Sequence, residues 1–331
     1  MSKFFKGALS QKSAFAFYKK YGIYVILALT FLFFAFGNET FLSSKNVLNV
    51  ARQVSMLGIA TVAVTFLMIG GGVDLSIGGQ VAITGIAAGR LIAFAGFPWP
   101  LAVLAAMLLC LGISIANTYF ATKLNIFPMI VTLGTMQILN AMSNVATNGV
   151  PIYDMPAGLV NLGQGYLGPI PIPVVVFAVV VAIAWFLLYK TYFGRRVFAI
   201  GGNPEAARLS GIDVDKSRYA ISAIAGFTIS IAAILVLARN SSAQPNPVAQ
   251  LPFDCMTACV LGGISFGGGD GKLGGAIAGV FIIGMLNNGM LLMGVDPNWQ
   301  GAIKGLVLIA AVGIDCIQRK PKKVKLRHAA K

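Results

Sequence analysis

The chain has 331 residues, of which 57% are hydrophobic and only 11% charged. Soluble domains carry about 25% charged residues, so a soluble enzyme or binding module is excluded and a membrane protein is expected. The formal net charge of +15 would suit nucleic acid, but the cations gather at Lys3 to Lys20, Lys190 to Arg218 and Arg319 to Lys331, as they do in the cytoplasmic loops of membrane proteins, so no nucleic-acid partner is expected.

The first 20 residues hold five lysines and no acid, and an apolar run starts at Tyr21. So much hydrophobic sequence follows that an uncleaved first span is expected in place of a signal peptide. Apolar runs bounded by polar or Gly/Pro breaks then predict ten spans: 21–37, 53–70, 80–96, 100–120, 127–146, 172–189, 219–238, 252–266, 274–293 and 300–317. The predicted fold is therefore all-α and polytopic, one transmembrane domain over 21–317 with a coupling segment at 190–218. It is flanked by a basic N-terminus (1–20) and a basic tail (318–331) attracted to anionic lipid. With both termini on the cytoplasmic side, the outer loops hold only Lys45, Arg52 and Arg239, while Lys123, Lys272 and the three cationic clusters fall inside. Arg90, in the third span, is expected to snorkel to an interface.

Cys110, Cys255, Cys259 and Cys316 have no disulfide or metal spacing, and Cys255 and Cys259 share a helix face as small packing residues. Two glycine-rich stretches, "GGGVDLSIGG" (Gly70–Gly79) and "GGISFGGGDGKLGG" (Gly262–Gly275), fall on one side of the membrane in this topology. Each runs Gly-Gly, Ser, Gly-Gly before a span of small residues, which hints at an internal duplication and at closely approaching backbone.

The strongest local signal is a short helix in the charged centre. Asn203 suits the N-cap, Pro204 the first helical position, Glu205 the positive dipole end, and Gly211 the C′ position. Two turns are too short to stand alone in water, so the helix either packs on its own spans or docks on a soluble partner.

"GGNPEAARLSGI" resembles the cytoplasmic coupling loop of permease subunits in ribose-type ABC importers. "GGVDLSIGG", "RNSSAQP" (Arg239–Pro245), "LGGISFGGGDGKLGG" and "LNNGMLLMGV" (Leu286–Val295) resemble the same family in the same order, over about residues 45 to 316. "FDCMTACVLGG" (Phe253–Gly263) departs from the family's more aliphatic, acid-led stretch, a difference that bears on the sugar and not on coupling. The resemblance implies a bacterial cytoplasmic-membrane permease for a monosaccharide such as ribose, paired with a second permease chain as a homodimer. It also implies an ATP-binding subunit inside and a substrate-binding protein outside, docked on loops 147–171 and 239–251. ATP and Mg would sit on the partner ATPase, with no cofactor in this chain. Asn203, Glu205, Ala206, Ala207, Arg208, Leu209 and Gly211 would form the coupling helix, with Glu205 and Arg208 as polar contacts and Ala206 and Ala207 as its close-packing surface.

The rivals are weaker. "FGGGDGKL" (Phe266–Leu273) lacks the leading glycine of a phosphate-binding loop and has Leu273 where Ser or Thr must hold magnesium, and "GDGKLG" follows no strand. An ion-gradient-coupled secondary transporter would keep carboxylates or His within its spans, whereas Asp74, Asp254 and Asp315 fall near ends or breaks and the one histidine, His328, is in the tail. A membrane enzyme would need a convergent acid, base or metal set, which one tail histidine does not supply. For the translocation path the candidates are Asp74 and Ser76 at the first glycine break, Asn140 and Asn144 four apart on one helix, and Asn287 and Asn288. The competing role for each asparagine is helix–helix hydrogen bonding.

Overall fold

The computed structural model describes residues 22–318; the two basic termini fall outside them, apart from Gln318. Every segment predicted to span is helical: α1 (Gly22–Gly37), α2 (Ser44–Ile69), α3 (Ile77–Ala93), α4 (Trp99–Lys123), α5 (Pro128–Thr147), α7 (Ile172–Lys190), α10 (Val214–Asn240), α11 (Leu251–Leu261), α12 (Leu273–Leu292) and α13 (Pro297–Gln318). Three further helices lie outside the predicted spans: α6 (Ala157–Gln164) and α8 (Tyr192–Gly202), which the sequence did not predict, and α9 (Pro204–Leu209), the short capped helix expected in the charged centre. A two-stranded antiparallel hairpin, β1 (Tyr166–Leu167) and β2 (Ile170–Pro171), follows α6.

Three helices differ from the predicted spans by five residues or more at one end. α2 and α10 are longer than 53–70 and 219–238, because Ser43 and Asp213 cap them earlier, accepting from the Asn46 and Lys216 amides. α11 is shorter than 252–266: it stops at Leu261 before Gly262 and Gly263. Its 11 residues reach about 16 Å, roughly half of a ~30 Å hydrocarbon layer. Among the described residues, five helices (α2, α4, α7, α10 and α12) are long and apolar enough to cross a membrane.

The helices form a bundle with α2 and α10 at its centre, packed on each other and ringed by α3, α4, α7, α11 and α12. In the most apolar stretch of α2, 83% of residues are buried, and in α10, 72%; in α4 and α7 the share is 22%. The outer helices instead show apolar side chains to the surroundings, such as Leu104 and Leu108 on α4 and Ile183 and Phe186 on α7. A bundle whose outer surface is as apolar as its core belongs in lipid. This is an integral membrane protein.

At one end of the bundle three backbone segments meet without side chains between them. The Gly269 amide, in the loop between α11 and α12, donates to the Ile69 carbonyl that ends α2, at 2.8 Å. A Cβ on Gly201 of α8 would lie 1.8 Å from that same carbonyl oxygen and 2.6 Å from the Gly269 nitrogen. Gly269 itself is left-handed, at φ +72°, and lies against Gly202. The two glycine-rich stretches of the sequence therefore converge on α8, and Gly268 and Gly269 are taken up by backbone packing. Gly201→Ala is expected to cost about 1–3 kcal/mol, read as a lower melting temperature in detergent. Gly202→Ala, whose Cβ would meet nothing closer than 4.0 Å, should melt like wild type.

Candidate functional site

The glycine junction holds α8, and α8 holds α9. Thr191 caps α8 by accepting from the Gly194 amide, and Val197 and Ile200 are buried on its inner side while Arg195 and Arg196 are exposed. Asn203 then breaks the helix in an extended conformation, and its Oδ1 accepts from the Ala206 amide at 3.0 Å. Pro204 follows at the first helical position, where its missing N–H is no loss. At the other end Gly211 adopts φ +82°. Its amide donates to Arg208 and that of Ile212 to Ala207, both at 3.0 Å: a Schellman closure, which needs the left-handed residue that glycine supplies.

The caps are those expected from sequence, but the faces of α9 divide differently. Ala207 is only 5% exposed and packs into the central apolar cluster with Val197 and Ile200. It is therefore a contact of α9 with its own chain, in contrast to the outward packing surface expected for it. Glu205, Ala206 and Arg208 are exposed, and Leu209 is 90% exposed.

Asp213, two residues past Gly211, caps α10. The Lys216 amide donates to its Oδ1 at 3.0 Å and the Lys216 ammonium lies 3.1 Å from Oδ2, and these hold its carboxyl below the usual carboxylate range. A carboxyl lowered in the folded state contributes stability above its unfolded pKa and loses it as pH falls through the lower folded value. The melting-temperature gap between wild type and Asp213→Ala should thus be full at neutral pH and close as the pH drops through about 4 and below.

The expected path residues do not converge. Asp74 and Ser76, between α2 and α3, are buried in a closed polar network. Asp74 Oδ1 accepts from the Ser76 amide and hydroxyl, and its Oδ2 from Gln80 Nε2 at 2.8 Å. Asn117 of α4 donates to Ser76 Oγ, Thr135 of α5 donates to Asn117, and Ser114 of α4 donates to Gln80 Oε1. This network ties the first glycine break to α4 and α5. It also forms one wall of a cavity of about 330 Å³ that includes Thr118, Ser222 and Arg218.

Asn140 is half-buried against α3 beside Gly79, and Asn144 is exposed and donates back to the Asn140 carbonyl at 2.9 Å. Neither lines that cavity or the one described next. Asn288 is buried and paired reciprocally with Asn46 of α2, at 3.0 and 2.9 Å, which is the helix–helix role weighed above.

Asn287 alone reaches a second cavity, of about 360 Å³, near the far end of α10 from α9. There its Nδ2 donates to Asp254 Oδ2 at 3.2 Å, and Lys304 of α13 donates to the same oxygen at 3.1 Å. Sequence reading placed Asp254 near a span end and passed over Lys304, 50 residues on; only its being a cation inside an apolar run could have flagged it.

The remaining polar groups brace the same end. Arg52 of α2 donates to the Gln164 carbonyl and stacks over Tyr166 at 4.6 Å, and Arg239 donates to Asn49. Ile152 and Ala243 exchange backbone hydrogen bonds, so 147–171 and 239–251 form one joined cap in place of two loose loops. Arg90 donates to the Ala146 carbonyl in the last turn of α5, a favourable place for a cation, which accounts for it. Cys255 and Cys259 are buried where α11 packs on α2, beside the Leu57 and Thr61 carbonyls.

With this geometry in view, the family description "branched-chain amino acid transport system / permease component" matches residues 46–312. The chain belongs to this family. Its relatives include the ribose import permease protein RbsC of Bacillus subtilis, 36% identical over 300 residues, covering 90% of this chain and 92% of the relative. The galactose/methyl galactoside import permease protein MglC of Escherichia coli is 35% identical over 334 residues, covering 96% and 99%. RbsC of Haemophilus influenzae is 35% identical over 284 residues, covering 84% and 87%. No solved structure matches at a comparable stringency. The resemblance read from the motifs thus holds across the chain: the permease is the membrane component of an importer, and ATP hydrolysis falls to a separate subunit.

The amide pair allows a direct test within the permease. Asn46→Ala and Asn288→Ala should each lose about 1 kcal/mol of stability, and the double variant less than the sum, because each single change strands the other's amide.

Proposed function

We propose that this permease forms the path of an ATP-driven monosaccharide importer in the cytoplasmic membrane of a bacterium, as a homodimer of ten-span subunits with both termini inside. The sugar assignment follows the relatives named for ribose and galactose import, at 35–36% identity, in preference to the amino acids of the family description. The observation that carries the mechanism is the outward face of α9. Glu205, Arg208 and the almost fully exposed Leu209 form a small mixed surface that fits a groove on an ATP-binding subunit. Ala207, facing inward, and Gly201 link that surface to α2 and to the α11–α12 loop.

When ATP closes two such subunits, their grooves carry α9 along, and α8 passes the displacement to the bundle at the glycine junction. The helices then rock about a central path, opening it to each side in turn. ATP and its Mg ion reside on the partner. The cap made by 147–171 and 239–251, at the other end, receives the external substrate-binding protein. Lipid surrounds α4 and α7.

A tagged pull-down from native membranes in mild detergent tests the docking. An ATP-binding subunit should co-purify with wild type. Its recovery should fall about tenfold or more, ~1.4 kcal/mol of binding, with Glu205→Arg or Leu209→Asp, while both variants reach the membrane in normal amount. An ATPase absent from wild type, with uptake that survives ATP depletion and collapses with the ion gradient, would sink the reading.

A further inference from the structure

Asp254 and Lys304 form an ion pair inside the bundle, with side chains only 11% and 17% exposed. Each of three helices brings one group: Asp254 from the first turn of α11, Asn287 from α12 and Lys304 from α13. Packing alone does not call for this. The desolvation penalty of a buried pair can exceed its attraction, and apolar replacement is often neutral or stabilising. Ionisable groups within membrane helices are kept where they do something.

The neighbouring Asn46–Asn288 contact shows what a purely structural polar contact looks like in this bundle. Both of its cross-helix bonds are made, and neither residue lines the 360 Å³ cavity. The Asp254 cluster is open instead. Both donors converge on Oδ2, and Asn287 Oδ1 is buried without a hydrogen-bond partner among the described residues. All three residues line the 360 Å³ cavity, opposite Gln53 and Leu57 of α2 and Asn240 of α10. That volume is within the roughly 300–1,000 Å³ of small-molecule sites. The cavity is also remote from α9: its α10 residues begin at Ala232, about 27 Å along the helix from Val214.

We infer that this cavity is a seat for an uncharged, hydroxyl-rich sugar ring in transit, the substrate class of the importer reading on which this inference rests. The Asp254 carboxylate accepts from sugar hydroxyls, the Lys304 ammonium donates to them, and the Asn287 amide does either. Met56 and Leu57 supply an apolar wall for the C–H face of the ring. The charges of the pair cancel each other, and Arg239, which also lines the cavity and donates to the neutral Asn49 amide, keeps its positive charge and adds donors for sugar oxygens. A seat made of three separate helices comes apart when they shift, as release to the other side requires.

The test uses cells expressing the complete transporter. Uptake of radiolabelled D-ribose, D-galactose and D-xylose is measured beside permease-dependent ATP hydrolysis in membrane vesicles from the same cells. Asp254→Asn and Lys304→Met should each lower uptake about tenfold or more, while hydrolysis stays within about twofold of wild type and the amount in the membrane is unchanged. The double variant Asp254→Leu/Lys304→Leu should transport no better than either single change. The seat is overturned if the double variant restores uptake, which would make the pair a packing element. It is equally overturned if uptake, hydrolysis and membrane level fall together, or if the single variants transport normally. Wild-type cells that take up none of the three sugars in an ATP-dependent way would instead remove the importer reading, and the seat with it.

Discussion

The hydrogen bond from the Gly269 amide to the Ile69 carbonyl, with Gly201 pressed against both, fixes where everything else in this bundle can go. Three chain segments from distant parts of the sequence approach to backbone contact there, and a single β-carbon at Gly201 would push them apart. Because side chains are absent, the junction has no soft layer that could absorb a movement. A displacement of α8 is passed to the end of α2 and to the loop that starts α12. Close-packed protein shifts as rigid pieces and does not deform continuously.

The two central helices extend that constraint through the molecule. α2 passes the Asp254 cavity at Gln53 and Leu57 and ends at the glycine junction; α10 begins at the Asp213 cap beside α9 and reaches the cavity in its last turns, at Val236, Arg239 and Asn240. Both are buried over most of their apolar length, so neither can move without its ring of neighbours. The polar groups are divided accordingly. The Asp74–Gln80–Asn117 network is satisfied on every arm and pins α3 to α4 and α5, and the Asn46–Asn288 pair pins α2 to α12. The Asp254–Asn287–Lys304 cluster has hydrogen-bonding capacity left over. In a low-dielectric interior a satisfied network holds helices in place, and an incompletely satisfied one is available to a polar guest.

Local features were legible in the sequence because their physics is local. The Asn203 cap, Pro204 and the left-handed Gly211 act over three or four residues, and each stands in the structure where its residue type required. That each of the ten predicted segments would hold a helix was likewise readable, since an apolar run is a property of a single segment. The glycine stretches signalled close approach, but not to what: their partner is α8, about 130 residues from the first and 70 from the second. The faces of α9 were unreadable for the same reason. Two adjacent alanines look alike in a sequence, and only the closing of the bundle buries Ala207 in the central apolar cluster and leaves Ala206 out.

The sequence by itself thus determined that the chain lives in lipid, roughly where its ten predicted apolar segments form helices, how the short central helix is capped, and to which transporter family it belongs. The tertiary structure decided which polar residues meet. Asn287 and Asn288 are neighbours on one helix, yet one joins Asp254 and Lys304 at a cavity and the other is consumed by Asn46, 242 residues away. The reason is geometric: successive residues on a helix point about 100° apart, so adjacent identical side chains face different neighbours, and those neighbours are fixed only when the whole bundle closes.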